Sequence, residues 1–169
     1  MNTIPGRFRP ASPVRPPAAD NSISEILSIY RDLASRPADR DCRLRTGCCR
    51  FAQTGKIPYL TRGEAVVAAR AVRAAGMTKL PEPADGACPL LDPRTSRCRI
   101  YDSRPFACRT HFCREAGGPY ARRDVLDLIR RLERVDAALG GDGPHALPDA
   151  VGEALSRSGT REDAGSGRI

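Results

Sequence analysis

The residues of this chain best suited to chemistry are its seven cysteines, which fall into two bunches. Cys42, Cys48 and Cys49 make the first. Cys88, Cys98, Cys108 and Cys113 make the second, with His111 inside its last interval. Thiolate is a soft ligand that suits zinc, iron–sulfur clusters and copper(I), and imidazole is an accepted partner of thiolate on zinc or iron. The candidate metal ligands are therefore Cys42, Cys48, Cys49, Cys88, Cys98, Cys108, Cys113 and His111. Eight donors suffice for two four-coordinate sites, or for one site with thiols left over. Adjacent Cys48 and Cys49 do not readily point at one metal, so one of them is a bystander or serves a second site. An odd cysteine count fits poorly with a closed disulfide framework. Free cysteine also packs as a small apolar residue, but seven grouped in this way exceed what packing alone calls for.

The spacings are C-x5-C-C and C-x9-C-x9-C-x4-C. Neither contains the C-x2-C knuckle of zinc ribbons or the C-x2-C-x2-C run of bacterial ferredoxins. A nucleotide-binding G-x-G-x-x-G, a P-loop and a G-x-S-x-G elbow are all missing. A Cys–His nucleophile pair, Cys108 or Cys113 with His111, is disfavoured because coordination ties up the sulfur.

Several elements must position these donors. Ile23, Ile26, Leu27, Tyr30 and Leu33 recur at helical intervals and predict a helix over 22–35, with Ser22 and Glu25 at capping-box spacing and Pro37 as its end. The segment 56–60 reads as extended. Thr61 and Glu64 form a second capping box, opening a helix to about Ala75 with Gly76 as its stop. From Cys88 to Cys113 no long period of either kind is present, so this stretch reads as ligand-bearing coil with one helical turn or two. Val125, Leu128, Ile129, Leu132, Val135 and Leu139 make the apolar stripe of a helix over 120–139. Leu147, Val151 and Leu155 allow a short terminal helix. The expected fold is thus small and mainly α, with helices flanking an irregular, metal-stapled, cysteine-rich loop region. The domain spans 21–140, between a Pro/Arg-rich disordered arm over 1–20 and a short helix with a flexible tail over 141–169.

Composition agrees with a metal staple. The chain has no Trp, 4 Phe and 4 Tyr, and small domains short of large apolar side chains recruit metals or disulfides. No apolar run is long enough for a secretory signal or a membrane span, so the expected compartment is the reducing cytoplasm. The net charge of +8 is uneven: residues 42–80 hold eight basic side chains and one acid. Guanidinium groups there would offset thiolate charge, an explanation that competes with a nucleic-acid patch.

Beyond Cys42 and Gly47-Cys48-Cys49, the chain carries Tyr59-Leu60-Thr61 with Glu64, then Cys88-Pro89-Leu90 and Cys98-Arg99-Ile100-Tyr101 before Arg104-Pro105, and it closes with Cys108-Arg109-Thr110-His111-Phe112-Cys113. In order and spacing over about 41–114, this layout resembles the zinc- or iron-chelating CxxCxxCC cysteine-cluster family, the YkgJ-like group, to which flagellin lysine methylases are related. The resemblance implies an iron–sulfur cluster or zinc on these thiols. It also marks a departure, since Arg45 stands where the family's second cysteine falls, and His111 is the candidate replacement. Arg104 and Arg109 resemble family positions, where they would hold a carboxylate such as Asp92 or Asp102, or donate near cluster sulfur. The leading expectation is a cytoplasmic metal-binding protein serving a redox step or a protein partner. An iron–sulfur-dependent protein-modifying enzyme of the methylase kind is one alternative. A nucleic-acid-binding zinc module is another, disfavoured because few aromatics are present for base stacking.

Overall fold

A computed structural model describes residues 19–36 and 46–162 of the chain. Its elements in chain order are α1 (Ala19–Ala34), α2 (Phe51–Thr54), β1 (Tyr59–Leu60), α3 (Arg62–Ala74), β2 (Leu91–Asp92), β3 (Arg97–Cys98), α4 (Phe106–Thr110), α5 (Leu126–Ala138), β4 (His145–Ala146) and α6 (Leu147–Glu162). The fold is small and mainly α, as the helical periodicities predict. Most of the 1–20 arm, Cys42, Arg45 and the final seven positions lie outside the described residues.

α3 is the central element. Its sequence, RGEAVVAARAVRA, combines small residues with valines, so helices can approach it closely on two sides. On one side Ala65, Ala68, Ala69 and Val72 pack with Leu147, Val151 and Leu155 of α6, and with Leu60, Leu90, Leu91 and Ile100. On the other, Val67 joins Ile23, Ile26, Ile29, Tyr30 and Leu33 of α1 and Leu128, Leu132 and Val135 of α5. Gly63 makes the second approach possible: a Cβ there would lie 3.1 Å from Ile26 and 3.3 Å from Val135. The capping box of Thr61 and Glu64 forms, and α3 stops ahead of Gly76, whose φ of +79° few other residues adopt.

The stripe read for 120–139 is core as expected, although its first turn, Arg122–Val125, is a 3-10 turn rather than α-helix. α6 is longer than the short helix that Leu147, Val151 and Leu155 suggested, because its apolar face docks along α3. The extended segment before α3 becomes β1, which pairs antiparallel with β4, Tyr59 opposite Ala146. Residues 88–113, read as coil, also hold a small antiparallel hairpin of β2 and β3, with Leu91 opposite Cys98. Two-residue strands are too short for periodicity to reveal. The expected helical turn in that stretch is α4.

One expectation fails. Ser22 does not cap α1, which begins a turn earlier at Ala19. Its hydroxyl is buried inside the helix with no hydrogen-bond partner among the described residues. Glu25 turns instead to Arg131 of α5, with its carboxylate 2.7 Å from the guanidinium.

Three arginines of the basic block are engaged within the fold. Arg62 donates to the Leu139 and Gly140 carbonyls at 2.9 and 2.8 Å, Arg73 to the Leu155 carbonyl at 2.8 Å, and Arg50 pairs with Asp85 at 2.7 Å. Among the described residues no helix is long and apolar enough to cross a membrane.

Gly63→Val should destabilise the fold by about 1–3 kcal/mol through overpacking against Ile26 and Val135. Urea unfolding followed by circular dichroism would measure it, and an unchanged midpoint would contradict the close approach of α1 and α3.

Candidate metal centre

Five of the thiols are carried by four short segments. Cys48 and Cys49 sit on a 3-10 turn, Gly47–Cys49, entered through Thr46 in the left-handed region at φ +52°. Cys88 lies just ahead of the hairpin, Cys98 on β3, and Cys108 on α4. The two bunches are joined directly, because the Cys88 N–H donates to the Cys49 carbonyl at 2.7 Å. Cys98 is brought alongside by the hairpin register, and Cys108 by the turn at Arg104-Pro105 that starts α4. Cys49, Cys98 and Cys108 are half-buried against the α3–α6 apolar cluster, to which Cys88 belongs, while Cys48 is exposed.

Together Cys48, Cys49, Cys88, Cys98, Cys108 and His111 line one cavity of about 260 Å³. The structure therefore gathers five of the seven candidate thiols and the candidate histidine. Cys113 does not line this cavity, although it follows His111 by two residues. Cys42 lies outside the described residues, as does Arg45, so the ligand exchange inferred between Arg45 and His111 keeps only its histidine half in view. Among the described residues no three His, Cys, Asp or Glu side chains are grouped closely enough to form a metal's ligand shell. The thiols stand around the walls of the cavity.

Their electrostatics combine burial with the influence of neighbouring sulfurs. The Cys49 thiol hydrogen-bonds the Cys48 sulfur, and this contact, with Arg104 acting in the same direction, draws Cys48 down to about 6. The same hydrogen bond, with burial, pushes Cys49 up. Burial pushes Cys88 up to about 11, with Cys98 and Cys48 adding to it. Burial raises Cys98 against a backbone hydrogen bond at Ile100 and the Arg104 charge, and it raises Cys108 with Cys88, Cys98 and Cys48 adding and Arg104 opposing. Buried thiols that disfavour one another's ionisation suit a thiophilic cation, whose charge reverses that preference and deprotonates them. The donor set thus fits zinc or iron in its chemistry.

Arg104 is the cation closest to this function. Its guanidinium stacks 3.7 Å from the centre of the Tyr101 ring, and its Nε donates to the Tyr101 carbonyl at 3.0 Å. Arg109 stacks 4.4 Å from the Tyr30 ring and donates to the carbonyls of Arg104, at 2.6 Å, and Asp102. The two arginines therefore clasp backbone carbonyls rather than the carboxylates of Asp92 or Asp102, and Asp92 is paired with Arg99 at 3.4 Å. A guanidinium held by its own loop stays fixed beside the thiols.

Sequence reasoning missed the apolar part of the cavity lining. Phe51, Ile57, Tyr59 and Leu147 also line the cavity, with Lys56, and among the described residues no acid lines it. Ile57 and Tyr59 are 44% and 59% exposed. Their presence in an extended segment beside a cysteine loop was the available signal.

Among known proteins, the chain matches one family model, CxxCxxCC, described as "putative zinc- or iron-chelating domain", over residues 40–125. No curated protein and no solved structure matches it.

In reduced, metal-free protein, Cys48 should be the thiol alkylated fastest by iodoacetamide, its rate rising with pH through about 6 and then levelling. Cys88 and Cys108 should stay slow at neutral pH. Peptide mapping by mass spectrometry across pH 5–9 checks this, and equal rates at all thiols would contradict the Cys48–Cys49 hydrogen bond.

Proposed function

Because the chain belongs to the CxxCxxCC family of zinc- or iron-chelating domains, we propose that it is a metal-binding protein in which Cys48, Cys49, Cys88, Cys98 and Cys108 hold zinc or an iron–sulfur cluster. Cys42 and His111 are further donors in this reading, and Cys113 is set aside. The metal serves a redox step or a protein partner in a reducing compartment. One observation carries the reading: thiols from four separate segments face a single cavity.

Bound zinc would supply a structural cross-link, and a bound iron–sulfur cluster would supply electron transfer. The protein's own part is to gather the thiols, to set the Arg104 charge beside them and to limit water through the apolar wall of Phe51, Leu90 and Leu147. A nucleic-acid role is not favoured, since Arg50, Arg62 and Arg73 of the basic block are engaged within the fold.

Protein purified without oxygen should contain zinc, or iron with acid-labile sulfide. Cys98→Ser and Cys108→Ser should lose most of that metal, whereas Cys113→Ser should keep it. Elemental analysis with an absorption spectrum makes the measurement, and folded wild-type protein devoid of metal would refute the reading. Chelation should loosen the thiol-bearing loops, because structural zinc in small domains contributes on the order of 10 kcal/mol. Limited proteolysis between 46 and 58 and between 88 and 113 would show it, and an unaltered cleavage pattern would speak against a metal staple.

A further inference from the structure

Glu64 lies outside the thiol cavity, yet its hydrogen bonds lead there. Its side chain is 2% exposed. Oε2 accepts from the Thr61 N–H at 3.1 Å and the Thr61 hydroxyl at 3.0 Å, which is its share of the helix cap. Oε1 accepts from two groups distant in the chain, the Tyr30 hydroxyl at 3.2 Å and the Phe106 N–H at 2.7 Å. A capping box requires none of that second pair.

Phe106 opens α4, a helix of five residues whose N-cap position is Pro105, with no side-chain donor or acceptor of its own. So short a helix does not persist unaided. Its first N–H is satisfied by Glu64, and two residues later comes Cys108. A second link reaches the far side of that cysteine. The Tyr30 ring, held through its hydroxyl by Glu64, lies beneath the Arg109 guanidinium, and Arg109 fastens the Arg104 and Asp102 carbonyls. The residues on both sides of Cys108 are thus tied to one carboxylate, directly at Phe106 and through Tyr30 at Arg109.

We infer that Glu64 is a positioning residue of the thiol cavity, which sets the place of Cys108 and of the Arg104 loop from within the helical core. The consequence for a bound metal rests on the metal-binding reading above; the consequence for the thiol itself does not.

The test uses the full chain carrying Glu64→Gln or Tyr30→Phe, with Val151→Ala as a control that weakens the α3–α6 core without touching this network. In reduced, metal-free protein, Glu64→Gln should speed iodoacetamide alkylation of Cys108 about tenfold relative to Cys98, from the loss of buried hydrogen bonds. Tyr30→Phe should speed it about threefold by the same loss on a smaller scale, and it decides the matter if Glu64→Gln does not fold. Val151→Ala should leave the Cys108-to-Cys98 ratio unchanged while lowering the melting temperature. The inference is overturned if the ratio is unchanged in the first two variants, or if all three alter it in proportion to lost stability. Cobalt(II) titration separates the two readings. Wild-type protein that takes no cobalt refutes the metal reading and leaves alkylation to decide this one. Wild-type protein that takes it should show a thiolate charge-transfer band that shifts or weakens in Glu64→Gln and not in Val151→Ala.

Discussion

A carboxylate removed from water needs partners, and Glu64 finds four donors in three parts of the chain. Burial holds its carboxyl group above the usual carboxylate range, and the hydrogen bonds from Phe106, Thr61 and Tyr30 offset only part of that rise. A buried polar group left without partners costs about 1–3 kcal/mol, and more when charged. The packing around Glu64 must therefore satisfy the group as well as enclose it. That requirement ties the start of α3 to the middle of α1 and to the first residue of α4. The arrangement of helices and the arrangement of thiol-bearing loops are in this way parts of one constraint.

The choice of residues along α3 follows from its central place. With Gly63, Ala65, Ala68 and Ala69, the helix admits α1 and α5 on one side and α6 on the other. A chain with few large aromatics gains burial here by close approach of helices rather than by bulk. Cys88 lies within one of the resulting clusters, and Cys49, Cys98 and Cys108 pack against it. These sulfurs contribute to the apolar packing and also face the cavity. The two uses are compatible because a thiol is both small and weakly polar.

Charge around the cavity is one-sided. Among the described residues Arg104 and Lys56 line it and no carboxylate does, which suits a site where several sulfurs would ionise together on a metal. The arginines that the sequence suggested as carboxylate partners bind backbone carbonyls instead. This keeps Arg104 positioned by its own loop and leaves its charge to act on Cys48, Cys98 and Cys108.

What the sequence determined by itself is what repeats locally or depends on residue type. The apolar stripe of α5, that of α1 except that Leu27 is exposed and Ile29 is buried instead, the Thr61–Glu64 cap, the Gly76 stop and the soft chemistry of the donor set all express themselves within a few residues. The reading of Ser22 as a cap failed because spacing alone does not say whether a helix already runs through the serine. Only the tertiary structure decided which donors meet. The Cys49 carbonyl receives the Cys88 N–H, β1 finds β4 far along the chain, and Glu64 reaches Phe106, all through contacts that no local period encodes. Cys113 stands off the cavity while Cys108, five residues earlier, faces it. Spacing treats those two thiols alike, but the end of α4 at Thr110 and the extended backbone of His111 turn the chain between them. Side-chain type settles what a residue can bind, whereas long-range packing settles where it points.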